Sequence, residues 1–323
     1  MGHQVSKLLK RSKSRKADYN TSPKSTDDSL PEGFRWLEGR GYRSDGNPAY
    51  ALPNDDAESS RLNLQHYIFR AAFNGYFVAP VREGLQQGIK VLDVGCGTGV
   101  WSIEMAQLYA NSSFTGSDMI DVFAPYVASA PKNCSFVIAN TLKGLPFPDD
   151  TFDYVFQRMQ VGSFRELEWP EVYAELVRVT KRGGWVELID TDGRLYNSGP
   201  AATAYDEKLH YMFGLRGINM ACISHRSRNL ENAGLESVVH KTISVPVGWG
   251  GDIGAAAAKN TITSYKSLRP VMLVALGLGE DEYSAMTSKA TAELLPGTTY
   301  KTYWNAEVAY GRKPELADKI MIE

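Results

Sequence analysis

A glycine-rich segment in the first third of the chain contains residue types that can hold a nucleotide-like ligand. Its members are Gly95, Cys96, Gly97, Thr98 and Gly99. The apolar segment 91–94 precedes it and includes Asp93, and the segment 100–109 that follows has helical character. Because glycine lacks a side chain, such a loop lets the backbone and a helix N-terminus approach a ligand closely. The pattern predicts a buried strand, a binding loop and a helix.

The positions of the glycines distinguish two cofactors. A dinucleotide-binding loop has its third glycine where this chain has Val100. Here the third glycine is Gly99, and no recognisable set of hydride-transfer residues accompanies it. The spacing resembles motif I of the class I methyltransferases that depend on S-adenosylmethionine (SAM). This resemblance implies that SAM is the cofactor and that Asp93 and the glycine loop contact it.

A carboxylate follows the predicted second strand, residues 113–117. Asp118 lies about 20 residues beyond the glycine loop, where a carboxylate can accept two hydrogen bonds from a ribose diol. Taken alone, Asp118 could equally be a helix N-cap or a solvated loop residue. The glycine loop upstream favours ribose binding, and the adjacent Met119 is expected at the same site.

The ends of the predicted third and fourth strands supply further candidates. They are Asn140, Thr141, Gln157 and Arg158. The resemblance implies that Asn140 and Thr141 lie beside the adenine. Related enzymes carry an acid at the first position, but an amide oxygen can also accept from the adenine amino group. Gln157 and Arg158 are expected beside the methionine portion, where Arg158 could pair with its carboxylate or else with a surface acid.

The resemblance extends over about residues 61–314 and is to the fungal LaeA-like methyltransferases. The segments that carry it are 61–66, 158–164 and 183–187. In that family the N-terminal helix helps to close the cofactor site. The resemblance therefore implies that Gln65, His66 and Tyr67 contact SAM, although His66 could equally be a structural histidine.

Segments of strand and helix character alternate along the chain. Strands are predicted at 90–94, 113–117, 135–138, 152–156, 185–189, 236–245 and 302–310. Helices are predicted at 100–109 and 171–180, the second ending in a turn at 181–184. Together with the resemblance, this predicts an α/β, Rossmann-like class I methyltransferase fold. Its mostly parallel seven-stranded sheet has helices on both faces.

Two helical segments, 200–233 and 253–295, interrupt the alternation. The second is expected to break at Pro270 and again at Gly277 and Gly279. These segments precede the final strand, so they predict a helical cap over the carboxyl edge of the sheet. Their aromatic and methionine side chains favour either an apolar acceptor beneath the cap or ordinary helix packing.

Composition divides the chain into three parts. Residues 1–58 are polar and basic at first and then rich in Gly and Pro, which predicts a disordered N-terminus and an extended arm against the body. Residues 59–314 are predicted to form the methyltransferase domain, and residues 315–323 a tail. The domain is expected to start with a helix capped by Ser59 or Ser60, with Leu62, Phe69, Phe73 and Phe77 at helical spacing.

Charge and cysteine content exclude several functions. The formal net charge of −2 argues against direct nucleic-acid binding by general electrostatics. The 3 cysteines have no metal-ligand spacing, and no metal site is predicted. The longest apolar run, residues 271–278, is too short to span a bilayer.

The amino terminus combines two features of membrane anchors. Gly2 and Ser6 fit the N-myristoylation pattern, and a run of Lys and Arg follows at 7–16. One acyl chain anchors weakly, and a basic patch on an anionic membrane surface supplies the second signal. The expected location is cytoplasmic, with membrane association through acylated Gly2. Nuclear import, or a merely solvated tail, is the alternative reading of the run.

The predicted function is methyl transfer from SAM to an unidentified acceptor, either a small molecule or a protein. The resemblance associates it with fungal secondary metabolism. The sulfonium is already activated, so holding the reactants in line does most of the work and no catalytic base is assigned. The alternative is a SAM-binding or pseudo-methyltransferase scaffold that acts through regulatory protein partners.

Overall fold

The computed structural model describes residues 34–37, 40–43 and 50–315. The predictions for Gly2, for the basic run 7–16 and for a disordered N-terminus concern residues outside this part of the chain, so they stay predictions. The same holds for tail residues 316–323.

The described residues form the following strands and helices. The strands are β1 (Phe34–Leu37), β2 (Arg40–Arg43), β3 (Lys90–Val94), β4 (Ser113–Asp118), β5 (Cys134–Ile138), β6 (Phe152–Arg158), β7 (Thr180–Asp190), β8 (Glu236–Pro246) and β9 (Tyr303–Arg312). The helices are α1 (Asp56–Ala72), α2 (Arg82–Gln87), α3 (Val100–Leu108), α4 (Ala124–Val127), α5 (Trp169–Val179), α6 (Pro200–Gly214), α7 (Arg226–Asn232), α8 (Asp252–Leu276) and α9 (Glu280–Leu294).

Strands β3 to β9 form one sheet in the order β5-β4-β3-β6-β7-β9-β8. Strands β3 to β7 run parallel, and β9 lies antiparallel between β7 and β8. The predicted mostly parallel seven-stranded sheet is therefore confirmed. Since the chain continues outward from β3 on one side and from β6 on the other, their carboxyl ends border the crevice where such sheets bind ligands.

Side chains from the two faces of the sheet enter two apolar cores. On one face, Leu92 of β3 belongs to a core that it shares with Leu176 of α5. On the other, Phe156 of β6 stacks on Trp101 of α3 with ring centroids 4.0 Å apart. Because strand side chains alternate between faces, β3, β6 and β7 each contribute to both cores. Helices on both faces are thus confirmed.

The arm before α1 packs against the body. Strands β1 and β2 pair as an antiparallel hairpin. The hydroxyl of Tyr42 donates to the backbone oxygen of Ser267 in α8 at 2.9 Å, and the guanidinium of Arg40 donates to both carboxylate oxygens of Asp55 at 2.6 and 2.8 Å. The arm is therefore attached to the cap as well as to the start of α1.

Helix α1 begins earlier than the sequence predicted. Asp55, rather than Ser59 or Ser60, is its N-cap and accepts a hydrogen bond from the Glu58 backbone N–H at 2.8 Å. A carboxylate is among the best acceptors for these otherwise unpaired N–H groups. The helix ends at Ala72, so Phe73 and Phe77 lie beyond it and the predicted helical spacing was too long.

The predicted turn at 181–184 was wrong. Helix α5 ends at Val179, and β7 starts at once with Thr180. Residues 181–184 lie within the strand, and the register between β6 and β7 shifts between Phe152 and Tyr154 to accommodate them. The glycines that favoured a turn lie in this irregular part of the ladder instead.

The cap consists of α6 to α9 and a 3₁₀ segment, Met220–His225. The predicted break at Pro270 is absent because buried Leu268 and Val271 hold the flanking turns of α8 in the core. The predicted break after it is present, with Gly277 in the left-handed conformation at φ 63°. Among the described residues, no helix is long and apolar enough to cross a membrane.

Candidate functional site

The glycine loop is fixed by hydrogen bonds that it donates to neighbouring β4. The backbone N–H groups of Gly95 and Cys96 donate to the Ser117 oxygen at 2.7 and 3.0 Å. The N–H of Gly97 donates to Oδ2 of Asp118 at 2.8 Å. The loop and the predicted ribose carboxylate are therefore held together before any ligand binds.

Two glycines of the loop meet different constraints. Gly97 has φ 55°, and a Cβ there would have Leu62 of α1 as its nearest neighbour at 3.8 Å. Gly99 is the left-handed N-cap of α3 at φ 73°, and a Cβ there would lie 2.4 Å from Cε1 of Phe136. Gly97 keeps the space between the loop and α1 open, whereas Gly99 permits close packing of β5.

The loop opens into a cavity of about 320 Å³ at the carboxyl edge of the sheet, a volume in the range of small-molecule sites. The predicted residues on its wall are Asp93, Gly95, Cys96, Gly97, Thr98, Asp118, Met119, Asn140, Thr141, Arg158 and Gln65. Residues from four strand ends therefore meet in one space, as the sequence predicted.

Four predicted site residues do not line this cavity, and one of them, His66, lies behind Arg158 and contacts Glu104. Gly99 contacts Phe136 instead. Tyr67 lies two positions beyond Gln65 on α1, a step that turns it to the far side of the helix, where its ring meets His66 at 5.2 Å. Gln157 is fully buried because alternation along β6 turns it away from the face that carries Arg158.

Arg158 lines the cavity, and a chain of polar contacts holds its side chain in place. Its Nη2 donates to Nδ1 of His66 at 3.0 Å, and Nε2 of the same ring contacts Oε2 of Glu104 at 3.1 Å. Burial lowers the pKa of His66 to about 4, so the ring is neutral and Nδ1 is free to accept. Burial also lowers the pKa of Arg158 to about 10, which leaves it cationic at neutral pH and able to pair with a carboxylate.

Asp93 acts behind the loop. It is buried, and the hydroxyl of Ser102 donates to its Oδ2 at 2.7 Å. Burial raises its pKa to about 6. The hydrogen bond ties β3 to the first turn of α3, so Asp93 stabilises the strand–loop–helix unit.

Sequence reasoning missed Gln160 and, although it predicted an arm against the body, it missed that the arm lines the cavity. Nε2 of Gln160 donates to the Gly95 oxygen at 3.3 Å, so the loop after β6 also holds the glycine loop. Tyr50 and the residues up to Asp55 line the cavity. The aromatic residues of the arm were its sequence signal, but no local pattern gives their destination.

A buried polar cluster ties the arm, α1 and α8 together. Glu58 and Arg61 form an ion pair at 2.7 Å. The hydroxyl of Ser267 donates to Oε2 of Glu58 at 2.6 Å and accepts from Nη1 of Arg40 at 3.3 Å. Nη1 of Arg61 donates to Oδ1 of Asn260 at 3.3 Å. The cap is thus fixed to the helix that covers the glycine loop.

A second buried ion pair joins the sheet to the cap. Arg226 of α7 and Asp190 at the end of β7 are 2.5 Å apart, and both side chains are almost inaccessible. Oδ1 of Asp190 also accepts from the N–H of Val161 at 2.9 Å, and Val161 lines the cavity. The pair therefore fixes the cavity wall to α7.

Comparisons with known proteins agree with this geometry. Residues 91–184 match the methyltransferase domain family. The secondary metabolism regulator LAE1 of Cochliobolus heterostrophus is 30% identical over 222 residues, which cover 64% of this chain and 69% of that protein. The chain belongs to the LaeA-like methyltransferases.

Two further comparisons concern a second curated relative and a solved structure. The protein-methionine methyltransferase laeA of Emericella nidulans is 27% identical over 245 residues, or 72% of this LaeA-like chain and 62% of that protein. The chain thus spans less than two thirds of several curated relatives. The SAM complex of Haemonchus contortus phosphoethanolamine N-methyltransferase 2 gives a TM-score of 0.48 at 12% identity, covering 85% of this chain and 62% of that chain.

The predicted cofactor, SAM, is confirmed by the methyltransferase family. The residues of this LaeA-like chain also fit it. A Cβ-free space lies between Gly97 and α1, a carboxylate follows β4, and a cation faces the cavity beyond β6. The space at Gly97 and the carboxylate suit the nucleoside, and the cation suits the carboxylate at the amino-acid end of the cofactor.

Proposed function

We propose that this chain transfers the methyl group of SAM to a small-molecule or protein acceptor in fungal secondary metabolism. The observation that carries the proposal is a single cavity that reaches from the glycine loop and Asp118 to the helices of the cap. Cofactor and acceptor would therefore share one space. The name of the LAE1 relative supports the link to secondary metabolism.

Backbone and carboxylate groups would hold the nucleoside. The Asp118 carboxylate accepts from the N–H groups of Gly97 and Ile120 at 2.8 and 3.2 Å, and a carboxylate has further acceptor sites for ribose hydroxyls. Oδ1 of Asn140 accepts from the N–H of Leu142 at 3.0 Å. That bond orients the amide beside the proposed adenine position.

When bound, SAM supplies an activated methyl group on its sulfonium. The protein must then hold the acceptor in line and exclude water. Helix α1 and the arm cover the loop, and Thr98 ties the loop to α1 by donating to Oδ1 of Asn63 at 2.7 Å. These contacts keep the cavity closed on the side of the glycine loop.

Calorimetric titration with S-adenosylhomocysteine tests the site. We expect binding in the micromolar range, about −8 kcal/mol, and a loss of at least about tenfold in Asp118→Ala, which removes a charged hydrogen-bond acceptor. Asp121→Ala, an exposed neighbour, is the matched control and should bind like the wild type. Wild-type protein that does not bind S-adenosylhomocysteine would contradict the proposal.

Regulation through protein partners is the second candidate. It is favoured by Asn140, which replaces the acid of related enzymes, and by the regulator name of the LAE1 relative. Incubation of the purified chain with methyl-labelled SAM and a fungal extract separates the two functions. Label transferred to an acceptor supports the enzyme, and intact S-adenosylhomocysteine binding without label transfer supports the regulator.

A further inference from the structure

The cap end of the cavity carries two polar groups in a largely apolar wall. Asp206 lies on α6 and Tyr265 on α8, and both line the cavity together with Leu209, Phe213 and Leu268. Phe213 also packs within 3.6 Å of the position a Cβ would take at Gly162, in the loop that follows β6. This end of the cavity is therefore continuous with the part assigned to the cofactor.

Asp206 is buried, and only one of its two carboxylate oxygens accepts a hydrogen bond within the described part of the chain. Its Oδ2 accepts from the backbone N–H of Leu195 at 2.5 Å. Within the described part of the chain, Oδ1 has no hydrogen-bond donor. Its helix is fixed by His210, whose ring nitrogens lie 2.8 Å from the backbone oxygens of Asp206 and Asp192. Burial raises the pKa of Asp206 to about 7, which makes the group responsive to a ligand that donates a hydrogen bond.

Tyr265 supplies the second polar group. Its side chain is only 4% exposed, and its hydroxyl has no hydrogen-bond partner among the described residues. Its ring centroid lies 4.0 Å from that of Tyr205 on α6, and the Asp206 carboxylate contributes to the electrostatic surroundings of its hydroxyl, so both groups lie where α6 and α8 border the cavity. Buried hydroxyls are normally paired, and an unpaired one costs free energy.

We propose that Asp206 and Tyr265 form an acceptor-binding subsite for a hydroxyl or amine group on an otherwise apolar molecule. The proposal rests on the methyltransferase function above and adds a substrate class to it. A ligand hydroxyl or amine can donate to the carboxylate of Asp206 and share a hydrogen bond with the hydroxyl of Tyr265. The surrounding Leu209, Phe213 and Leu268 suit the apolar body.

The chemistry of the pair distinguishes ligand classes. An ether or thioether can accept from Tyr265 but cannot donate to Asp206. A carboxylate would repel an ionised Asp206. A hydrocarbon would leave both polar groups unpaired. A group that donates a hydrogen bond is therefore the class that satisfies both Tyr265 and the ionised form of Asp206.

Ligand-observed NMR titration of the full chain tests this subsite with three probes of similar shape. The probes are 2-phenylethylamine, 2-phenylethanol and propylbenzene, each titrated with and without saturating S-adenosylhomocysteine. We expect saturable binding of the amine or the alcohol about tenfold tighter than that of propylbenzene, the ratio typical of a buried charge-assisted hydrogen bond. Propylbenzene that binds as tightly as both polar probes, or no saturable binding of any probe, overturns the proposal.

Variants locate the binding. Asp206→Asn and Tyr265→Phe should each reduce the advantage of the polar probe by about tenfold. The matched controls are Glu207→Gln and Tyr211→Phe, which change exposed residues of α6 and should leave it unchanged. A polar-probe affinity that is the same in Asp206→Asn and Tyr265→Phe as in the wild type overturns the subsite.

The two proposals fail separately. If S-adenosylhomocysteine does not bind the wild type, the methyltransferase proposal is overturned, and the probe titrations without it still decide the subsite. If S-adenosylhomocysteine binds and the polar probes show no preference, only the subsite is overturned. Should Asp206→Asn not fold, Tyr265→Phe carries the test, since it removes one oxygen that has no protein partner.

Discussion

At the glycine-loop end of the cavity, a large part of the wall comes from the short stretch between Asp93 and Asp118, whose backbone N–H groups fix the loop to β4. At the cap end they are side chains of Asp206 and Tyr265, which lie on different helices. The first arrangement follows from local backbone geometry. The second forms only when α6 packs against α8. The cofactor end should therefore tolerate few substitutions, and the cap end should be changeable without loss of cofactor binding.

The largest expected effect tests whether the two ends are mechanically joined. Arg226→Met leaves Asp190 buried without its cation, which we expect to lower the free energy of unfolding by about 3 to 5 kcal/mol. Urea unfolding measures it. Arg228→Met, at an exposed position of the same helix, should change it by less than about 0.5 kcal/mol. Equal effects would mean that the ion pair does not join the sheet to the cap.

The next effect concerns the cofactor end alone. Gly99→Ala places a Cβ against Phe136, whose ring is stacked on Phe123 at 5.0 Å, and forces alanine into the left-handed region. Together these should cost about 3 kcal/mol and weaken S-adenosylhomocysteine binding. Gly214→Ala is the control because a Cβ there meets open space. Unchanged unfolding in Gly99→Ala would show that the loop is less constrained than its geometry indicates.

The next prediction is a pH dependence of stability that arises at the cofactor end, where His66 contacts Arg158. The folded state holds His66 neutral, with a pKa of about 4 against an ordinary 6.5. Stability from this group is therefore present above pH 6.5 and is lost as the pH falls toward 4. Against His66→Gln, the wild type should lose at most about 3 kcal/mol over that window. Parallel unfolding curves for the two proteins between pH 7 and 4 would contradict this.

The smallest effect concerns attachment of the arm. Ser267→Ala removes a donor to Glu58 and an acceptor for Arg40, which should cost about 1 kcal/mol. S-adenosylhomocysteine affinity should stay at the wild-type value, because the hydroxyl lies on the cap side. Ser284→Ala, on the exposed side of α9, is the control. A loss of cofactor affinity in Ser267→Ala would show that the two ends are coupled through the arm.

The same contrast explains how far the sequence predicted the structure. Strands β3 to β9, the glycine loop and Asp118 follow from apolar runs and short-range spacing, and except for the start of β7 they lie where predicted. Gln157 was placed wrongly because the two-residue period of a strand puts it opposite Arg158. That signal was available from the position of Arg158.

Other features had no local signal. Pro270 was expected to end a helix, but burial of its neighbours overrides the local preference. Asp206 and Tyr265 belong to helical segments whose sequence is compatible with ordinary packing, and only the packing of α6 on α8 brings them together. The helices of the cap could therefore be predicted from the sequence, but the position of Asp206 and Tyr265 on the cavity wall could not.

The position of β9 has a consequence for synthesis of the chain. This strand pairs with both β7 and β8, yet it follows every other strand of the sheet in sequence. More than a hundred residues separate the end of β7 from its start, which at about 5–20 residues per second takes the ribosome roughly 5 to 20 s. During that time β7 presents an open edge, where unpaired strands invite association with other chains. Chaperone demand and aggregation during expression should therefore concentrate in this interval.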